Sequence, residues 1–448
     1  MLIDANIFDR YIWAHFDTVV MKKTFLLFPL SLLPFFLQAQ FTLSGELRPR
    51  GEFRQGYKNF VPDTSEPVVL VSQRMRLNAD FRSELFVIRL SLQDVRVWGD
   101  AKIKDASGRI GLYEAWGEWL INPMFSVKMG RQVLRYDNLP IFTASNWGQS
   151  GVSHDALVFK VSGHKIKFHT GFAWNNEKEL YTNNYYPVDL YKNMLFLWGN
   201  RKYNSGLNIS LVSVTEGLQK NKSTEILYRT TTGGDFTFRN DSSLLEGGFQ
   251  AFYQRGKTTA GDKLNSLMIG AKAGYRILPS FSILLAVDYF SGNDLTDTSL
   301  QGKTRAFYLP YNASMHGMNG QMDLLDNLPA DTQNAGLVAL SSTLTWKTSK
   351  SGTFQMVYWY FLLAGKYPDP RLLPQVSAAD SYLASEIDIS YTYKASKDLE
   401  LQLGYCFMLP SETMKMMKGY FPGAGNTDVR FLQWAYVMVT FTPVFFTR

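Results

Sequence analysis

The chain has 448 residues, of which 46% are hydrophobic, 15% aromatic and only 19% charged. That apolar and aromatic content excludes intrinsic disorder, and a single cysteine, Cys406, excludes a disulfide framework and a cysteine-based zinc site. The formal charge of +7 suits an anionic partner without demanding one, and no apolar run reaches the roughly 18 residues of a membrane-spanning helix.

Met21-Lys22-Lys23, an apolar run over 25–37 and Gln38-Ala39-Gln40 read as a secretory signal peptide over 21–40. Residues 1–20 are patternless and read as a start-site extension, with Met21 as the better initiator. Residues 41–448 are then the mature, exported domain.

From Phe41 onward the hydrophobic period is two. In 41–54 the apolar row Phe41, Leu43, Leu47, Phe53 alternates with Glu46, Arg48, Arg50, Glu52 and Arg54. In 70–82 the polar row is Ser72, Arg74, Arg76, Asn78, Asp80 and Arg82. Predicted strands fall near 41–54, 70–83, 85–97, 110–121, 124–133, 155–162, 165–175, 193–203, 206–215, 224–239, 243–256, 264–277, 281–291, 335–347, 353–364, 382–394, 398–408 and 431–445. Their connections alternate between long and short. Long ones include 55–69, 98–109, 134–154, 176–192, 292–334, 365–381 and 409–430. Short ones are tight turns such as Asn122-Pro123, Gly163-His164 and Asn240-Asp241-Ser242. Even strand number, strands of bilayer-spanning length and long loops on one side only predict an all-β, antiparallel, up-and-down transmembrane barrel of about 18 strands. Long loops belong outside the cell, and short turns with both termini in the periplasm. Aromatic clusters such as Tyr358-Trp359-Tyr360-Phe361 and the terminal Phe445-Phe446 are expected in the girdles.

The polar row of such a barrel faces its lumen. Arg48, Arg50, Arg74, Arg76, Arg89 and Lys128 are therefore lumen candidates, either exposing positive charge to anionic solutes or paired across strands with Glu46, Glu52 and Asp80. The long connection 134–154, with Arg135, Asp137, Trp147 and His154, is the candidate for a loop folded inward as a constriction. Arg131, just before it, joins the same set.

Several short motifs resemble the alginate-export family of outer-membrane porins. They are Gly45-Glu46-Leu47-Arg48-Pro49-Arg50, Gln73-Arg74-Met75-Arg76-Leu77, Glu114-Ala115-Trp116-Gly117-Glu118-Trp119, Gly130-Arg131-Gln132, Arg135-Tyr136-Asp137, Trp147-Gly148-Gln149 and His154-Asp155-Ala156. The likeness spans the mature chain and is densest in 41–160. It implies an 18-stranded barrel whose basic lumen passes an anionic polysaccharide or its oligomers.

The catalytic inventory is thin. The sequence holds no G-x-S-x-G, H-E-x-x-H or phosphate-loop pattern, and its five histidines are scattered. Glu114 and Glu118 share a strand row, but four residues separate them by about 13 Å, beyond the roughly 5 to 9.5 Å of a glycosidase pair. The expectation is a non-enzymatic outer-membrane channel of a Gram-negative bacterium, without cofactor. Its expected partners are outer-membrane lipid, acidic saccharides or small anions, and the barrel-assembly machinery, with no nucleic acid. The alternatives are a general porin, a barrel enzyme, or a surface adhesin without channel activity.

Overall fold

The computed structural model describes residues 40–101, 110–137, 141–142, 146–186, 188, 191–220, 223–239, 244–312, 316–372, 377–420 and 428–448. The expected start-site extension, the expected signal peptide up to residue 39 and the expected turn at 240–242 lie outside these residues.

The period-two segments form a closed antiparallel barrel of 18 strands with almost no helix. The first nine are β1 (Gln40–Gln55), β2 (Val68–Arg82), β3 (Phe86–Val97), β4 (Gly111–Leu120), β5 (Phe125–Gln132), β6 (His154–Ser162), β7 (Ile166–Trp174), β8 (Tyr191–Lys202) and β9 (Leu207–Gln219). The others are β10 (Ile226–Arg239), β11 (Leu245–Lys257), β12 (Lys263–Leu278), β13 (Phe281–Phe290), β14 (Leu337–Lys347), β15 (Gly352–Leu362), β16 (Tyr382–Ser396), β17 (Leu399–Pro410) and β18 (Leu432–Phe441). Each pairs with its neighbours in sequence, and β18 closes on β1 through pairs such as Arg50 with Met438 and Phe53 with Ala435. Pro443 interrupts the last strand because it has no N–H to donate. The strand resumes over Val444–Thr447, still against β1.

Closure leaves no strand edge, so side-chain alternation sorts residues into lipid and lumen rows. Leu47, Met75, Leu77, Ile88, Leu90, Met129, Phe159, Phe168, Leu195 and Val437 are exposed on the outer rows. This is the apolar band that a transmembrane barrel shows to lipid. The inner rows hold Arg48, Arg50, Arg74, Arg76, Glu52, Glu386 and Asp388, all buried. The cluster expected in a girdle divides by the same rule: Tyr358 is exposed outward, whereas Trp359 and Phe361 are buried inward.

The connections alternate as expected, with turns at 83–85, 121–124, 163–165, 279–280 and 397–398 at one end. At the other end lie the long connections, above all 133–153, 291–336, 363–381 and 411–431. The first two run back into the barrel.

Candidate functional site

Two loops and the inner rows of three strand groups build the lumen. The loop after β5 first packs against β7 and β8. Leu134, Tyr136, Ile141 and Phe142 are buried there. Tyr136 and Phe142 meet the Phe196 ring at centroid distances of 5.4 and 4.9 Å. Gly171 makes room for Phe196, since a Cβ on it would lie 2.2 Å from the ring. Trp198 Nε1 donates to Asp137 Oδ2 at 2.6 Å, with Asp137 in the left-handed region at φ 55°.

The loop then crosses to β1 and β2, where residues 146–150 meet the arginines. Arg48 donates to the carbonyls of Asn146 (2.7 Å), Trp147 (2.9 Å) and Gly148 (3.1 Å), and to the Gln149 side chain. Arg50 donates to the Trp147 carbonyl at 3.2 Å. Arg74 donates to the carbonyls of Asn146, Gly148 and Gln149 and pairs with Glu46 at 2.5 Å. Arg76 reaches Asn146 Oδ1 at 3.0 Å and the Ser150 carbonyl at 3.2 Å. The rigid donor fork of guanidinium suits this work, because one side chain can hold several carbonyls at once. The four arginines are 0% to 6% exposed as a result. Glu52 completes the group, accepting from Arg50, Arg54 and Trp434 Nε1 at 3.0 Å each. The four were expected either to offer charge to a solute or to pair across strands with carboxylates; in the structure Arg50 and Arg74 pair with Glu52 and Glu46, and all four pin a loop.

The second inward loop follows β13 and faces the first. Trp147 stacks on His316 with centroids 4.2 Å apart. Tyr311, at φ 40°, donates its hydroxyl to the Ile141 carbonyl at 2.6 Å. Residues 316–326 are held to the far wall by backbone N–H groups, Met322 to Glu386 at 2.8 Å and Gln321 to Asp388 at 3.2 Å. Gly320, at φ 88°, lies against the Glu386 carboxyl, where a Cβ would come within 2.5 Å. Asp323 bonds with His316 (2.7 Å), accepts from Tyr57 (2.9 Å) and pairs with Lys58 (3.3 Å). Burial alone would raise its carboxyl, but the His316 hydrogen bond and the Lys58 charge hold it below the usual carboxylate range. Asp326 goes the other way, well above that range, because it is buried and next to the Asp323 charge.

Of the remaining site residues expected from sequence, Arg89 lies on the inner row between Asp80 and Glu114, 3.0 Å from each. Lys128 also faces inward, 3.6 Å above the Trp116 ring. His154 opens β6 instead of ending the loop. It is buried, with Nδ1 2.8 Å from the Tyr191 hydroxyl and Nε2 without a hydrogen-bond partner. Arg135 is exposed, away from the pins. Arg131 is corrected: it pairs in register with Asp155 on the outward row that holds exposed Met129, and bonds to Asp155 at 3.0 Å. One step along a strand exchanges lumen for exterior. The sequence reading missed the clasp of Glu386, Asp388, His316, Asp323 and Asp326. Alternation along β16 sets Glu386 and Asp388 on the inner row, but nothing in the sequence joins them to a loop.

Below the pins, toward the short-turn end, the inner rows of β2 to β7 carry a second basic group. Arg82 and Lys167 are exposed, and Arg89, Lys128 and Lys160 half-buried. Asp80, Glu114 and Glu118 lie among them, Glu118 paired with Lys160 at 3.0 Å. On the opposite wall a cavity of about 210 Å³ is lined by Asp235, Gln250, Gly270, Lys272, Asp288 and Met318.

A closed 18-stranded barrel with loops folded into a charged lumen has the architecture of a porin. Solved barrels of the Occ and Opd type share this fold. Pseudomonas aeruginosa OccK9 (OpdG) superposes with a TM-score of 0.60 at 10% identity, covering 90% of this chain and 98% of the other. Acinetobacter baumannii OccAB1 gives 0.57 at 13% identity, over 91% and 97%. P. aeruginosa OccK2 (OpdF), solved in complex with glucuronate, gives 0.56 at 12% identity, over 91% and 98%. At these identities the likeness is one of fold. No family profile and no curated protein matches the chain in sequence, so the alginate-export resemblance rests on its short motifs.

Proposed function

We propose that the chain is an outer-membrane diffusion channel for small carboxylated solutes, uronate-sized sugars among them. The observation that carries this reading is the solvent-reaching basic group of Arg82, Arg89, Lys128, Lys160 and Lys167 on one lumen wall. Five cations stand there among three carboxylates, Asp80, Glu114 and Glu118, leaving that wall net positive. Lumen arginines and lysines select anions in pores. Guanidinium and ammonium donors also bind carboxylate with charge-assisted hydrogen bonds. The glucuronate held by OccK2 is of this chemical class. Two loops that meet inside the lumen favour a small solute over a polymer in transit. The polysaccharide-export reading is accordingly the weaker one.

The test is single-channel recording in planar bilayers under a salt gradient. The expected result is anion preference, with glucuronate reducing the current at concentrations where glucose does not. The triple variant Arg89→Gln, Lys128→Gln, Lys160→Gln should remove most of both effects. Cation preference in the native protein, or equal block by the two sugars, contradicts the proposal.

A further inference from the structure

The outer surface at the long-loop rim carries a patch of five cations that form no ion pair among the described residues. Arg255 and Lys257 lie on the outward row of β11, and Lys263 of β12 sits directly opposite Lys257. Lys303 belongs to a two-residue strand, Lys303–Thr304, that pairs parallel to β12 and places it beside Lys263. Arg305 follows on the same row, and all five side chains are exposed. The alternate positions Leu264 and Thr304 are buried, so the five point away from the lumen. Among the described residues none of the five forms an ion pair. Other outward cations at this rim do: Arg96 with Asp94 at 2.6 Å and Arg131 with Asp155 at 3.0 Å. Of the acids close in sequence, Asp294 pairs with Lys366, Asp297 accepts from the Ser299 N–H with its charge felt by Arg305, and Asp262 forms no ion pair among the described residues.

Like charges directly opposite on paired strands repel. Three lysines in one row therefore cost stability that an anion between them would relieve. Immediately below, Tyr253, Leu267 and Ile269 are exposed on the same outer rows and begin the apolar band. The cations therefore stand where a lipid head group lies, just above hydrocarbon. A cavity of about 480 Å³ adjoins the patch, lined by Asn265, Tyr289, Arg305 and Lys366 among others. It offers polar and aromatic surface beside the charge.

We propose that this patch is a binding site for the phosphates of an outer-leaflet glycolipid, with the head-group sugar lying in the adjoining cavity. Charge complementarity and height on the barrel select this occupant, and the site is independent of what crosses the lumen.

The test uses the full-length barrel in detergent micelles, titrated with a diphosphorylated glycolipid of the lipid A type and with its dephosphorylated form, read by native mass spectrometry. The native protein should hold the phosphorylated lipid at least tenfold more tightly, with the difference shrinking in 1 M salt, where the screening length falls to about 3 Å. A cation near an anionic lipid surface strengthens binding about fivefold. The variant Lys257→Gln, Lys263→Gln, Lys303→Gln should thus lose about 100-fold, and the corresponding arginine triple should lose almost nothing. The double variant Lys257→Gln, Lys303→Gln spares β12 and should lose about 25-fold, which keeps the answer independent of how the triple folds. Equal binding of the two lipids, a glutamine variant within twofold of native, or competition by soluble polyphosphate as strong as by the lipid would each overturn the proposal.

Discussion

Arg74 is fully buried beside Glu46 and spends its remaining donors on three carbonyls of the inward loop. Removing one member of a buried ion pair leaves the other charged and unsolvated, at about 3–5 kcal/mol. Arg74→Ala is therefore expected to lower barrel stability by about that amount, measured by urea unfolding in detergent, and to raise single-channel conductance by loosening the loop. An unchanged unfolding midpoint would contradict this account of Arg74. The period-two rows in the sequence put Arg48, Arg50, Arg74 and Arg76 on the lumen side, and pairing with Glu46, Glu52 and Asp80 was legible there too. Their bonds to residues 146–150 were not legible, because a backbone carbonyl has no letter in a sequence. A charge-reversal at Arg74 and Arg76, which a sequence reading treats as a selectivity experiment, is in the structure first a loop-release experiment. Arg131 shows the opposite failure. It stands in a motif beside lumen residues, but the pleat turns it outward to Asp155.

Among the elements, the strands were the most readable, since a two-sided environment imposes alternation on every barrel strand. Loop 133–153 stood out as a constriction through its length and its aromatic and charged residues. Loop 291–336 did not, because the five groups of its clasp are dispersed over 316–326 and β16, and only tertiary contact unites them. That clasp has a defined response to pH. An Asp held in a state that raises its pKa stabilises that state below its free value of about 3.9, and the contribution fades as pH rises toward the raised value. Asp326 is such a group. Asp323, shifted down, contributes above about 3.9 and loses its contribution as pH falls through its lowered value. The loop should therefore become more mobile as pH rises above the free-carboxylate range, seen as more frequent current flicker on the alkaline side. Asp326→Asn should flatten that dependence. Persistence of the native pH profile in the variant would refute the role of Asp326.

At the scale of the whole molecule, the barrel wall and its two inner loops are separable parts. The wall closes through continuous pairing from β1 to β18, and the inward loops add to its ladders only the two-residue strand Lys303–Thr304 against β12 among the described residues. Deletion of residues 138–149 should accordingly leave a folded barrel with heat-modifiable gel mobility and a severalfold larger conductance. A deleted protein with native conductance would place the constriction elsewhere. The way the loop is fastened has a consequence for how such a channel changes over generations. Its anchors on β1 and β2 hold mainly main-chain carbonyls of residues 146–150, which every amino acid supplies. Side chains along much of that segment can then be exchanged with its path retained, and preference for one permeant over another can drift by point mutation without rebuilding the scaffold.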